Sequence, residues 1–430
     1  MDNKKLYIGV DSKLDYFTVE HKPLTRGLAL IGQSGCGKSF LLGRILEELV
    51  RTTTPKTRVL FIDTNADFYN GLKLKPKEKE DTSFRSILNR YNSGQLDGKA
   101  IGSFKGHEVK EYNRIWESNL FDVYESYGKE ERFGFSFDWL LDNYFTRFLP
   151  IIKANDIVKF YRDILVLLMG TSNRGEILAK MFYERLFNLS FGDFMNEHET
   201  TRSLLKHYPM EVFSSFYHDV TQAFVVKEFP EKPNQNTFNV NLFSEKRVAF
   251  IEMERIQDNR VRVQSVLYIL YFLWEKHLEM IKEARKPGFP PCDLKRTFLI
   301  IDEAHNFAPD ETEDPYLKLL GELIHKIAAE GRKYGLHLIL ATQRPNKLKR
   351  GLLGELDNAI IMKMNSHSDL DHLANEMRIL DVKLIEPCLH FQGQGNAIAI
   401  GEMTGMAPYA RIFKAAPRRT LEGGIDIEGF

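Results

Sequence analysis

Residues 28–42 read LALIGQSGCGKSFLL: an apolar run, a glycine-rich loop ending in Lys-Ser, and a second apolar run. That order predicts a buried strand, a tight loop and a helix opening near the lysine. Gly32, Gln33, Ser34, Gly35, Cys36, Gly37, Lys38 and Ser39 fit the spacing G-x-x-x-x-G-K-[ST]. Between a strand and a helix, that spacing cradles phosphates with backbone N–H groups and a helix N-terminus. Lys38 is the candidate for the β and γ phosphates and Ser39 for Mg2+, with Phe40 completing the cradle. The plain alternative is a glycine-rich turn that matches by chance.

Outward from this loop the pattern repeats. "TRVLFIDTNADF" predicts a second buried strand, Val59–Ile62, ending in Asp63. "RTFLIIDEAHNFAP" predicts a third, Phe298–Ile301, ending in Asp302 and Glu303. Acids at the carboxyl end of a strand stand where open α/β sheets bind ligands. Asp302 is the candidate for the Mg2+ shell and Glu303 for the general base that polarises water. The alternative is an acidic helix cap. "RVAFIEM", "LHLILATQRP", "LDNAIIMKMN" and "GNAIAIGEM" supply further strands, and helical spacing predicts a long helix over 262–286. Strands alternating with helices predict an α/β fold with a mostly parallel sheet.

The domain reading follows. Residues 1–25 form a short β-hairpin, 26–71 and 246–415 the α/β core, 72–245 a mostly helical, aromatic-rich insertion, and 416–430 a turn-rich tail, mobile or engaged at an interface.

Composition bounds the class. The chain has 430 residues, with Lys+Arg and Asp+Glu equal at 59 each. A neutral sum is compatible with nucleic acid when the positive charge is confined to a pore. Cys36, Cys292 and Cys388 are isolated, which argues against a zinc cluster or disulfide framework and fits a reducing, cytoplasmic compartment. No apolar run is long enough to span a bilayer, so no membrane insertion is expected. The histidines lack metal-ligand spacing, and His305 reads as a helix-start residue. No nuclease constellation is visible.

Hydrolysis needs more positive charge at the transition state than one lysine provides. Arg332, in "EGRKYG", could act in trans on a neighbouring subunit's nucleotide; the alternative is a basic helix end. Gln343, in "ATQRP", could bond the terminal phosphate or water; the alternative is a turn cap. Lys347, Lys349 and Arg350 are candidate pore contacts, or a solvated basic loop.

"GQSGCGKS", "LIIDEAHNFAP", "EGRKYGLHLILATQRP" and "RRTLEGG" follow one another as in the HerA branch of the HerA/FtsK ATPases, which the chain resembles over 24–70 and 246–425. The resemblance implies a RecA/FtsK-like fold and an ATP- and Mg2+-dependent homohexamer. It implies that the ring moves double-stranded DNA through its pore beside a partner nuclease or other effector, as in DNA processing or anti-phage defence. Lys38 and Ser39 match the family's Walker A positions, Asp302 and Glu303 its Walker B pair, Arg332 its trans finger and Gln343 its sensor glutamine. Arg26 matches a basic residue that lies near the nucleotide, and Asp63 the first acid of an Asp-Pro-His-Gly-Glu-Tyr-like element whose glutamate is replaced by Asp67. Lys363 stands where the family usually has arginine. Residues 1–25 would be a reduced remnant of the β-barrel that precedes the phosphate loop in archaeal HerA. Two other readings stay open: a ring that regulates a bound effector without pumping, and a conjugation- or secretion-type ATPase.

Overall fold

In a computed structural model of the chain, the described residues are 5–11, 16–68 (save 55 and 66), 247–286 (save 255, 257 and 258), 295–377, 381–405 and 410–420 (save 417 and 419), with positions 211 and 215. The chain divides into two compact units, residues 1–129 with 243–430, and residues 130–242. The helical insertion expected over 72–245 lies outside the described residues, apart from those two positions.

Ten strands of the first unit form one sheet. In chain order they are β1 (Leu6–Asp11), β2 (Tyr16–Val19), β3 (Leu28–Ile31), β4 (Thr57–Asp63), β5 (Val248–Glu252), β6 (Arg296–Ile301), β7 (Leu336–Thr342), β8 (Asn358–Ile361), β9 (Asn396–Gly401) and β10 (Arg411–Ala415). Their spatial order is β2-β1-β10-β9-β8-β3-β7-β6-β4-β5. From β8 to β5 every pairing is parallel; from β8 to β2 every pairing is antiparallel. The fold is the expected α/β class. The central strands read as unbroken apolar runs because both faces are covered, as in β3, where every residue is buried.

Two details depart from the sequence reading. The lead-in hairpin is not a module of its own: β1 pairs with β10, so the hairpin is an edge of the same sheet. β10 itself was not anticipated.

Helix α1 is a single turn (His21–Leu24), α2 spans Lys38–Thr52, α3 spans Asn259–Ala284 and α4 spans Pro315–Glu330. In α2 the apolar residues Leu41, Leu42, Ile45, Leu46, Leu49 and Val50 recur at helical spacing and face the core. Burying each contributes roughly 1.5–3 kcal/mol. Unusually, its polar face is covered as well: Arg44, Glu47 and Glu48 are fully buried.

The coverage comes from two remote segments. Tyr7 of β1 donates its N–H to Glu48 Oε2 at 2.8 Å and accepts from Arg44 Nε at 2.9 Å. From the carboxyl side, Thr420 donates both its N–H (2.8 Å) and its hydroxyl (2.6 Å) to Glu47 Oε1. Arg418 donates Nε to the Thr420 hydroxyl at 2.9 Å, and its guanidinium lies 4.5 Å from the centroid of the Phe68 ring. Arg418 and Thr420 are therefore docked on the phosphate-loop helix, and the start of the tail is not free. Buried charges persist when each finds a counter-charge or a hydrogen bond, and these do.

Candidate nucleotide site

Strand β3 delivers the loop and α2 receives it. Gly32 donates its N–H to Thr342 O (3.2 Å) and Gln33 to Lys363 O (3.0 Å), which ties the loop to β7 on one side and the end of β8 on the other. Gly35 and Gly37 take positive φ angles of 76° and 94°, a region L side chains rarely enter, so the tight loop needs glycine at both positions. Across the loop, Gly395 donates to Cys36 O at 2.8 Å. Cys36 is buried, and burial raises its pKa, so the thiol is protonated at neutral pH. Ser34 and Gly35 are exposed; Ser39 and Phe40 are half-buried at the start of α2.

Beside the loop, β6 ends in the two acids. Lys38 Nζ donates to Asp302 Oδ1 at 3.1 Å and to Glu303 Oε1 at 2.6 Å. All three side chains are buried. Burial alone would lower the lysine pKa; the two carboxylates outweigh it and the net shift is upward. Burial raises the Asp302 pKa, against the pull of Lys38. Glu303 is the one described non-glycine residue at positive φ (47°). That backbone costs an L residue roughly 1–2 kcal/mol.

Asp63, at the end of β4 next to β6, joins this edge. One carboxylate oxygen accepts from Phe68 N at 3.0 Å, while the other is buried without a partner. Burial pushes its pKa up to about 7, with the charge of Asp302 adding to the shift. Asp302 Oδ2 and Glu303 Oε2 are likewise buried and make no hydrogen bond, though Oε2 lies 3.3 Å from His305 Nδ1. Asp63, Asp302 and Glu303 thus bring three buried carboxyl groups to one sheet edge, each with an oxygen that makes no hydrogen bond, the arrangement of a candidate ligand site.

Other expected residues are placed as follows. Gln343 follows β7, the strand between β3 and β6, at this same edge. Arg332 is exposed in the turn Gly331–Tyr334 that enters β7, at the opposite, amino edge of the sheet. Gly331 permits this turn, since a Cβ there would stand 2.6 Å from Leu336 O. Arg332 is thus out of reach of the site in its own chain. Arg26 precedes β3 at the amino edge, like Arg332, and its guanidinium pairs with Asp357 (3.1 Å) and Glu402 (3.0 Å) of its own chain. It is not brought to its own chain's phosphate loop. His305 was read as a helix-start residue; it is the middle residue of the 3-10 turn Ala304–Asn306, and its ring also lies against Glu303.

A phosphate loop whose lysine is clasped by an acidic pair, at the carboxyl edge of a parallel sheet, defines a P-loop nucleotide-binding domain. A family model described as the central domain of the helicase HerA matches residues 11–273, and the chain belongs to that family. The matched range includes 72–245 and ends before the acidic strand. A DNA double-strand break repair helicase HerA from Pyrococcus furiosus is 30% identical over 125 residues, 29% of this chain and 22% of the relative. Its counterpart in Sulfolobus acidocaldarius is 25% identical over 404 residues, 91% of this chain and 66% of the relative. The chain thus spans less than two thirds of the length of these relatives. Among solved structures, VirB4 of Thermoanaerobacter pseudethanolicus aligns over 97% of both chains at 12% identity and a TM-score of 0.49.

Proposed function

We propose that this chain is an ATP-hydrolysing motor that moves double-stranded DNA, working as a homohexamer beside a partner nuclease or other effector. The observation that carries the reading is the clasp of Lys38 by Asp302 and Glu303 at the mouth of the phosphate loop. It holds one cation for phosphates and two acids for metal and water within hydrogen-bond reach of each other. The donor set fits Mg2+. Ser39 and the unpartnered Asp302 Oδ2 offer a hydroxyl and a carboxylate oxygen, and Mg2+ uses few protein ligands beside phosphate and water. Among the described residues there is no cluster of three or more His, Cys, Asp or Glu that would hold a metal by itself. Bound there, Mg2+ would neutralise phosphate charge and orient the terminal phosphate.

The chain's own groups divide the work. The loop amides and Lys38 bind the phosphates. Glu303, relieved of Lys38, orients and deprotonates water. Gln343 reports the terminal phosphate. Arg332, displayed away from its own site, supplies charge to a neighbour's site in the ring.

Basic residues after β7 fit a phosphate-directed DNA contact. Lys347 and Arg350 are exposed, and their loop is stitched to the segment after the acids: Lys349 N donates to Ala308 O at 2.8 Å and Asp310 N to Lys347 O at 3.0 Å. A push on this loop is therefore delivered within a few residues of Glu303. No helix among the described residues is long and apolar enough to cross a membrane.

ATP turnover with and without long linear duplex DNA, measured beside the mass in solution, tests the reading. A hexamer whose turnover rises several-fold with DNA, with the stimulation falling as salt rises, is expected. A hexamer indifferent to DNA across a salt series would replace the motor with an effector-regulating ring. Glu303→Gln should bind ATP and stop turning over, whereas Lys38→Ala should weaken binding. Arg332→Ala should lose turnover while keeping affinity; full-rate hydrolysis by an isolated monomer, indifferent to that change, would remove the trans role.

A further inference from the structure

We propose that His305 is a positioning residue for Glu303: its Nδ1, with the Thr342 hydroxyl behind it, receives the carboxylate that Lys38 releases when phosphates arrive. The inference rests on the reading of Glu303 as the base and adds how that base is held.

Four observations meet at this point. Lys38 holds Oε1 of Glu303 at 2.6 Å, and a lysine drawn to phosphates must let that oxygen go. The other oxygen, Oε2, is buried and has no hydrogen bond, yet lies 3.3 Å from His305 Nδ1. His305 Nδ1 is already 3.1 Å from the hydroxyl of Thr342, a fully buried residue. Thr342 in turn accepts at its carbonyl from Gly32 (3.2 Å), the first glycine of the phosphate loop, and immediately precedes Gln343.

The chemistry selects one tautomer. Nδ1 faces a carboxylate oxygen and a hydroxyl oxygen, so a neutral ring serves both by carrying its proton on Nδ1. The ring is neutral at physiological pH: burial, reinforced by Arg344, Lys38 and Lys347, brings its pKa down to about 4. A neutral N–H can orient the carboxylate without taking over its charge, which a base must keep. The same contact ties the phosphate loop and the strand before Gln343 to Glu303 through one threonine.

The test exploits which nitrogen is used. Asparagine can place its amide N–H near the position of Nδ1, whereas glutamine reaches the position of Nε2. Single-turnover ATP hydrolysis and ATP affinity are measured for His305→Ala, His305→Asn, His305→Gln and Thr342→Val, with Glu303→Gln as reference. His305→Ala should lower kcat by ~10- to 100-fold with affinity changed less than about threefold. His305→Asn should recover most of that loss, and His305→Gln little of it. Thr342→Val, which keeps shape and loses the hydroxyl, should lower kcat in the same sense by a smaller factor.

Wild-type turnover in His305→Ala, beside an inactive Glu303→Gln, would overturn the positioning role alone. So would equal losses in the Ala, Asn and Gln variants that track their melting temperatures, since packing would then explain them. An active Glu303→Gln would instead remove the reading of Glu303 and this inference with it.

Discussion

A Cβ built on Gly43 would stand 2.6 Å from Nε of Arg418. The second turn of the phosphate-loop helix is bare at this point because an arginine from the far end of the sequence fills the space. Arg418 is only 1% exposed, enclosed by Phe68 and Thr420, so it has no free path aside.

Gly43→Ala should therefore destabilise the fold. Alanine gains about 1 kcal/mol of helix propensity. Overpacking against an enclosed side chain costs ~1–3 kcal/mol, and we expect it to win. Denaturant unfolding without nucleotide reads the difference. A raised midpoint would mean that Arg418 yields, and that the tail is held more loosely than its burial implies.

Lys38→Met should cost stability as well as nucleotide binding. It strands two buried acids, and breaking a buried ion pair from one side costs about 3–5 kcal/mol. The signature is non-additivity. Adding Glu303→Gln, which removes one stranded charge, should return part of the loss. Losses that simply add would mean that the three groups do not act as one cluster.

His337, at the start of β7, should make stability depend on pH. It is 4% exposed, its Nδ1 lies 3.0 Å from Thr25 O, and burial holds its pKa at about 4. The folded state thus binds fewer protons than the unfolded state, whose histidine titrates near 6.5. The neutral ring's stability is complete above about 6.5 and is lost as pH falls toward 4, by up to roughly 3 kcal/mol. His337→Asn keeps a donor for Thr25 and does not titrate. Unfolding of both proteins from pH 7 to 4.5 should show the wild type losing more than the variant; parallel curves would rule the histidine out.

What was legible in the sequence was what is local. Gly32–Ser39, the run into Asp302 and Glu303, and the strands β3, β4, β6 and β7 carry their signals within a dozen residues, because a strand buried on both faces is a continuous apolar run. What was missed depends on distant partners. β10 is five residues long and alternates because it lies in the antiparallel half of the sheet, and its partner β1 lies almost the whole described chain away. The burial of α2's polar face rests on Tyr7 and Thr420, both far from it in sequence. His305 looked like punctuation after the acids; only folding sets it between Glu303 and Thr342.

The pairing of β1 with β10 has a consequence in time. Gly9 stands opposite Ala415, so roughly 400 residues must be made between one strand and its partner. At about 5–20 residues per second, the ribosome takes on the order of 20–80 s to deliver them. Loop-closure entropy grows only slowly with such a separation, so the cost falls on the schedule more than on the final stability. Meanwhile the β1–β2 hairpin, marginal by itself, presents an open edge on its β1 side. Until β10 emerges, that edge is a template for any strand nearby, including the same edge on a neighbouring nascent chain.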